Sequence, residues 1–168
     1  MKKYLKLCIS LICIMLVFSF SALQAGAASV KILSWHLIDS GGHLDWDGST
    51  TYIDFFKQAV ETWNNYKPGV ICEDTIWVIE DVTISDYSER NTTTLAVTSR
   101  DTASIKFNRY RMNFHGGDEV RNVCIHELGH ALGLDHNTSS DVMCSYVTKI
   151  NKLSANDKAS YDASYKRI

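Results

Sequence analysis

The chain has 168 residues, with 17 basic and 19 acidic side chains, a formal net charge of −2, five cysteines and one proline. A balance this close to neutral, with no basic tract beyond the first residues, excludes a protein that binds nucleic acid or anionic membranes through bulk charge. Five cysteines are too few for a disulfide scaffold, and the absence of repeats and Pro-rich linkers excludes a repeat array or a string of small modules.

Met1-Lys2-Lys3-Tyr4-Leu5-Lys6 is a basic start, the 14-residue apolar run Leu7 to Phe20 follows, and Ala25-Gly26-Ala27-Ala28 is a small-residue stretch. This three-part pattern predicts a secretory signal peptide over residues 1–27, cleaved after Ala27, and hence a secreted, extracellular protein. A spanning helix needs roughly 18–20 apolar residues, so the run is too short for a membrane anchor, and no membrane association is expected after cleavage. Residues 28–168 then form a single domain of ordinary size. Without Lys2, Lys3 and Lys6, 14 basic residues face 19 acidic ones, a charge near −5. Cys8 and Cys13 leave with the signal, and Cys72, Cys124 and Cys144 remain as one bridge plus a thiol or as three thiols.

Along the predicted mature chain, Val30 to Ile38 is apolar enough for a strand, Ser40-Gly41-Gly42 breaks it, and Asp45-Trp46-Asp47-Gly48 reads as a turn. Tyr52, Phe56, Ala59, Val60 and Trp63 make one apolar stripe and predict a helix over Tyr52–Tyr66. Thr51 and Asp54 resemble a capping box at its start, and Pro68-Gly69 stops it. Three strands are predicted next, over Ile76–Ile84, Thr94–Thr98 and Thr102–Phe107, with Ser85–Asn91 as a surface loop. A second helix is predicted from about Asp118 to Leu132 and a third over Ser154–Tyr165, with Ser154 as its cap. The order helix, strands, helix, irregular segment, helix is that of an α+β domain.

Residues 126–136 read His-Glu-Leu-Gly-His-Ala-Leu-Gly-Leu-Asp-His. Four residues separate His126 from His130, about 40° around a helix and one turn along it, so both imidazoles can point at one ion. Glu127 sits about 100° round from His126, an offset suited to holding a water rather than a metal. On a continuing helix His136 would lie about 9 Å beyond His130 and roughly 240° round, facing away. The helix must stop, and Gly133 stands where it can, since glycine takes the left-handed conformation of a helix C-terminus without a Cβ clash. Three imidazoles leave one position open on zinc, the arrangement of a catalytic rather than a structural ion.

This eleven-residue run matches the long zinc-binding signature of the metzincin metallopeptidases, and its spelling resembles the matrixins and their small secreted bacterial relatives. Met143, in Asp141-Val142-Met143, resembles the family's Met-turn, and Leu153-Ser154-Ala155-Asn156-Asp157 resembles the start of the final matrixin helix. The resemblance implies a metzincin-like fold: a twisted mixed sheet, an active-site helix carrying His126, Glu127 and His130, a Met-turn and a C-terminal helix. It implies one catalytic zinc held by His126, His130 and His136, with Gly133 and Met143 supporting the site. It also implies a monomeric endopeptidase acting on extended peptide or protein, through a zinc-bound water that Glu127 activates, with Thr102–Phe107 as the edge strand that pairs with substrate. Asn137 departs from the Ser usual in matrixins. About 140 mature residues leave no room for a cysteine-switch propeptide. Tyr146 lacks the spacing of a tyrosine ligand and reads as a pocket-wall residue. His36, His43 and His115 do not match a second zinc site, and His43 with Asp45 and Asp47 reads as a polar turn. Two other functions fit the same zinc site: a zinc-binding attachment module without turnover, and a hydrolase of cell-wall amides.

Overall fold

The computed structural model describes residues 27–75 and 80–168. The expected signal peptide, apart from Ala27, and residues 76–79 of the strand expected at Ile76–Ile84 lie outside them. No helix among the described residues is long and apolar enough to cross a membrane.

The first sheet element corrects a sequence expectation. Leu44–Gly48 is strand β1, not a turn. Leu44 and Trp46 are buried, at 0 and 3 % exposure, while Asp45 and Asp47 point the other way, so the period-two alternation of a strand overrides the turn-forming composition. Its neighbours, β2 at Ile71–Glu73 and β3 at Val82–Tyr87, both run parallel to it, with Leu44 opposite Ile71 and Trp46 opposite Val82. β4 spans Ala96–Ser99 and β5 spans Ser104–Asn108. The five-stranded sheet has the order β2-β1-β3-β5-β4, parallel except for β4, which runs antiparallel to β5.

This order moves the edge. The strand expected at Thr102–Phe107 is realised as β5 but lies inside the sheet, between β3 and β4, with Ser104, Ile105, Phe107 and Asn108 buried. The edge strands are β4, beside β5, and β2 on the far side. Val30–Ile38, expected as a strand, is extended but joins no sheet. It lies along the segment after His130, where Leu33 N–H donates to Gly133 O at 2.9 Å and Leu37 N–H to Ala131 O at 2.8 Å. Of the expected loop Ser85–Asn91, the first three residues complete β3.

Helix α1 runs over Ile53–Asn64 and buries Phe56, Ala59 and Trp63 on one face. Its start does not use the expected Thr51–Asp54 box. Asp86, from β3, accepts hydrogen bonds from Thr51 N–H (2.9 Å), Thr51 Oγ1 (2.6 Å) and Thr50 Oγ1, so a tertiary carboxylate holds the helix entry. The short α2 at Arg109–Met112 was not expected. α3 covers Gly117–Ala131 and α4 covers Ala155–Tyr165, each within a residue of its sequence expectation. Ser154 caps α4 as expected, and Asp157 returns the bond to the Ser154 N–H.

α1 and α3 pack on each other, with α1 reaching β2 at one edge of the sheet and α3 reaching β4 and β5 at the other. Between them Trp46, Phe56 and Phe107 interlock edge to face, at centroid distances of 5.0 and 6.3 Å. Full burial of each Phe contributes about 1.5–3 kcal/mol. This core fixes α3 against the edge strand, and the functional site lies along that seam. The observed architecture is thus a mixed α+β domain.

Candidate metal centre

α3 ends where Leu132 caps it and Gly133 takes φ +90°. Leu134 N–H bonds back to Gly129 O and Gly133 N–H to His130 O, both at 2.9 Å, the paired closure of a glycine-terminated helix. A Cβ on Gly133 would stand 2.3 Å from Ser164 Oγ and 2.9 Å from the Trp35 carbonyl. Backbone sign and crowding both demand glycine there, and the turn carries His136 back towards the helix.

The three imidazoles converge. Ring centroids are 4.6 Å apart for His126 and His130, 5.0 Å for His130 and His136, and 5.2 Å for His126 and His136. One donor nitrogen from each lies within 4.8 Å of the other two. Two rings are oriented by main-chain carbonyls: His126 Nδ1 lies 3.0 Å from Val142 O and His130 Nδ1 2.9 Å from Leu134 O. A carbonyl only accepts, so each Nδ1 carries the hydrogen and each Nε2 keeps its lone pair. Burial, with His130 beside it, pushes His126 down to about 3, and burial lowers His136 as well. Neutral imidazoles with free Nε2 atoms are the donor set that a dication such as zinc takes.

Glu127 is 7 % exposed and stands apart from that trio of mutually close donors. Burial pushes its carboxyl up, opposed by His130 and by a hydrogen bond from Thr98. Thr98 Oγ1 lies 2.6 Å from Glu127 Oε2. Met143, 1 % exposed, packs onto α3 at Gly129, where an added Cβ would sit 2.3 Å from its sulfur and 3.1 Å from Trp63 Cζ2. Gly129 is therefore the one size that fits between Met143 and Trp63.

Three supporting residues escape sequence reading. Asp157, fully buried, accepts from Val142 N–H at 3.1 Å and Met143 N–H at 3.3 Å while capping α4, so it fixes the carbonyl that orients His126. The sequence placed it only in the stretch that resembles the start of the final helix, with Ser154 as the cap. Asn122, one turn before His126, accepts from Thr148 N–H at 2.9 Å and donates to Ile150 O at 2.6 Å, tying α3 to the chain after Met143. Thr98 left no local signal.

The site opens into a cleft of about 630 Å³. Thr93 to Thr98 form one wall, α3 residues from Asn122 to His130 the floor, and Cys144 to Val147 the other wall. Tyr146 is a wall residue as expected, and 61 % exposed. His115 reaches the far end of the cleft and pairs with Glu119 at 3.4 Å. His36 bonds to Ile38 O, and His43 precedes β1, whose Asp45 and Asp47 lie on a strand rather than in the expected polar turn. Cys72, Cys124 and Cys144 are all free, and burial pushes the Cys124 thiol up, which makes it inert.

An α+β domain carries three convergent imidazoles that could hold a metal ion, beside a buried carboxylate in an open cleft. The matrixin family profile matches residues 15–166. The chain belongs to the matrixins, a family of zinc metallopeptidases. No curated protein sequence matches it. Among solved structures, a chain from the GM1-bound form of the ECX AB5 holotoxin is similar, with a TM-score of 0.55 and 16 % identity over 83 % of this chain and 87 % of that one. At that identity the likeness is one of fold.

Proposed function

We propose that this protein is a secreted zinc-dependent endopeptidase, exported by the signal peptide at residues 1–27 and working as the single domain 28–168. One observation carries the reading: three imidazoles converge at an open cleft while a buried carboxylate on the same helix stands outside their donor set. His126, His130 and His136 would hold the zinc, which when bound supplies a Lewis acid for the scissile carbonyl and for the attacking water. Val142 O and Leu134 O keep two of the rings aimed, and Gly133 and Met143 hold the turn and the floor beneath them.

Glu127 is the general base. It takes a proton from the water that attacks the peptide carbon, then passes that proton to the leaving amine. The carboxylate is 7 % exposed, in a cleft bounded by the Thr98 side of β4 and the wall at Cys144–Val147. An extended substrate adds to the free edge of β4 through main-chain hydrogen bonds, a mode that selects side chains weakly. This assigns to β4 the role expected of Thr102–Phe107.

The test is an assay of the zinc-loaded mature protein on casein and on peptidoglycan, each with and without chelator. Chelator-sensitive cleavage of casein is expected. Cleavage of peptidoglycan alone would mean a cell-wall amidase, and zinc uptake without cleavage of either would mean a binding module.

A further inference from the structure

Thr98 meets the Glu127 carboxylate with its hydroxyl, at Oε2, and also presents its main-chain N–H to it. Among the described residues, the side-chain hydrogen bond to that carboxylate comes from the Thr98 hydroxyl, which lies 2.6 Å from Oε2 and 3.0 Å from the Glu127 main-chain oxygen. A hydroxyl has one proton. The 2.6 Å contact has the length of a charge-assisted O–H···O⁻ bond, so the proton goes to the carboxylate. Thr98 is on β4, opposite Ile105 of β5, and lines the cleft. A β-branched residue in a strand has restricted χ1, so the hydroxyl is presented in a fixed direction by the sheet rather than by a flexible stem.

We propose that Thr98 is a positioning residue for the general base: it holds Glu127 Oε2 against the edge strand and leaves Oε1 to receive the proton. The inference rests on Glu127 being the base, as proposed above. Its physical content is a competition. A cation held by three imidazoles would attract the nearest carboxylate, and a carboxylate that swings over to it becomes a ligand instead of a base. The Thr98 bond opposes that swing. It also ties the base to the same strand that takes the substrate, so docking an extended peptide on β4 sets the scissile bond and the proton acceptor from one piece of backbone. The arrangement is a tertiary one, joining residues 29 apart in sequence.

The test compares Thr98→Val, which keeps the β-branch and removes the hydroxyl, with Thr98→Ser, which restores the hydroxyl. In Thr98→Val, kcat falls by something on the order of 10- to 100-fold, the scale of a misplaced reacting group, while KM and zinc content stay near wild type. Thr98→Ser recovers most of the lost kcat. A second readout needs no turnover: in metal-free protein, the side-chain carboxyl ¹³C resonance of Glu127, assigned through Glu127→Gln, moves in Thr98→Val and returns in Thr98→Ser. An unchanged kcat in Thr98→Val, a rise in KM in place of a fall in kcat, an equal loss in Thr98→Ser, or an unmoved carboxyl resonance each overturns the proposal. If wild-type protein turns over no peptide, the peptidase reading fails by itself, and the resonance still decides whether Thr98 holds Glu127.

Discussion

The two walls of the cleft are built by different rules. On the helix side, spacing of four residues sets His126 against His130, Gly133 turns the chain, and His136 arrives three residues after the turn. On the strand side, β4 owes its place at the edge to pairing with β5, and β5 owes its own to β3, whose paired residues lie 21 positions away in sequence. Short-range geometry therefore writes the imidazole cluster into the sequence, while the surface opposite it depends on how a whole sheet assembles. Thr98 joins the two walls.

The contrast makes the helix side intolerant of single changes. His130→Ala is expected to lose zinc and activity together, because two imidazoles hold the ion far less tightly than three; metal analysis beside a peptide-cleavage assay tests this. Glu127→Ala should keep about one zinc and lose turnover by roughly 10²–10⁴-fold, the usual contribution of a positioned base. A variant that keeps full activity defeats the mechanism, and one that loses its zinc makes Glu127 part of the metal site.

Stability effects come next. Asp157→Ala leaves the N–H groups of Val142, Met143 and Ser154 without their shared acceptor, and should cost about 2–4 kcal/mol in urea unfolding. Gly133→Ala combines a positive φ with a close approach to Ser164 and Trp35, and should cost about 2–3 kcal/mol. A change under 0.5 kcal/mol in either would mean that the turn and its support are looser than the packing shows.

The pH dependence of the metal-free protein also belongs to the helix side. Burial holds folded His126 down to about 3, whereas an unfolded histidine titrates near 6.5. As pH falls through that window the unfolded chain takes up a proton that the folded one refuses, so stability drops. Burial raises Glu127, so its contribution is full at low pH and fades as pH rises above the ordinary value of 4.5. The two slopes oppose each other above about pH 4.5, and below it the histidine slope acts without that opposition. A loss on the order of 1 kcal/mol per pH unit is expected between pH 4.5 and 3, read from denaturant midpoints. A flat profile there would show that His126 is open to protons.

The strand side should tolerate more. Val97 is 43 % exposed on β4, and Val97→Thr should shift stability by under about 0.5 kcal/mol. Because the proposed pairing uses main-chain groups, kcat/KM should stay within about threefold. A large loss of kcat/KM with normal stability would show that side chains of β4, and not its backbone edge, grip the substrate.

The sequence by itself determined what acts within a few residues: helices α1, α3 and α4, the Ser154 cap, the exit at Gly133, and the identities of His126, Glu127, His130, His136 and Met143. Helical periodicity, capping and glycine's left-handed conformation are local, so they leave a readable mark. Composition misled at Asp45-Trp46-Asp47-Gly48, because alternating burial against a sheet outweighs the turn preference of aspartate and glycine. It misled again at Val30–Ile38, where an apolar extended segment spends its hydrogen bonds on the helix exit rather than on a strand. Only the tertiary structure decided that β4 is the edge, that Asp86 holds the start of α1, that Asp157 fixes the carbonyl behind His126, and that Thr98 meets Glu127. Those choices depend on groups 14 to 36 residues apart being brought to hydrogen-bonding distance, and no local propensity encodes which distant group will arrive.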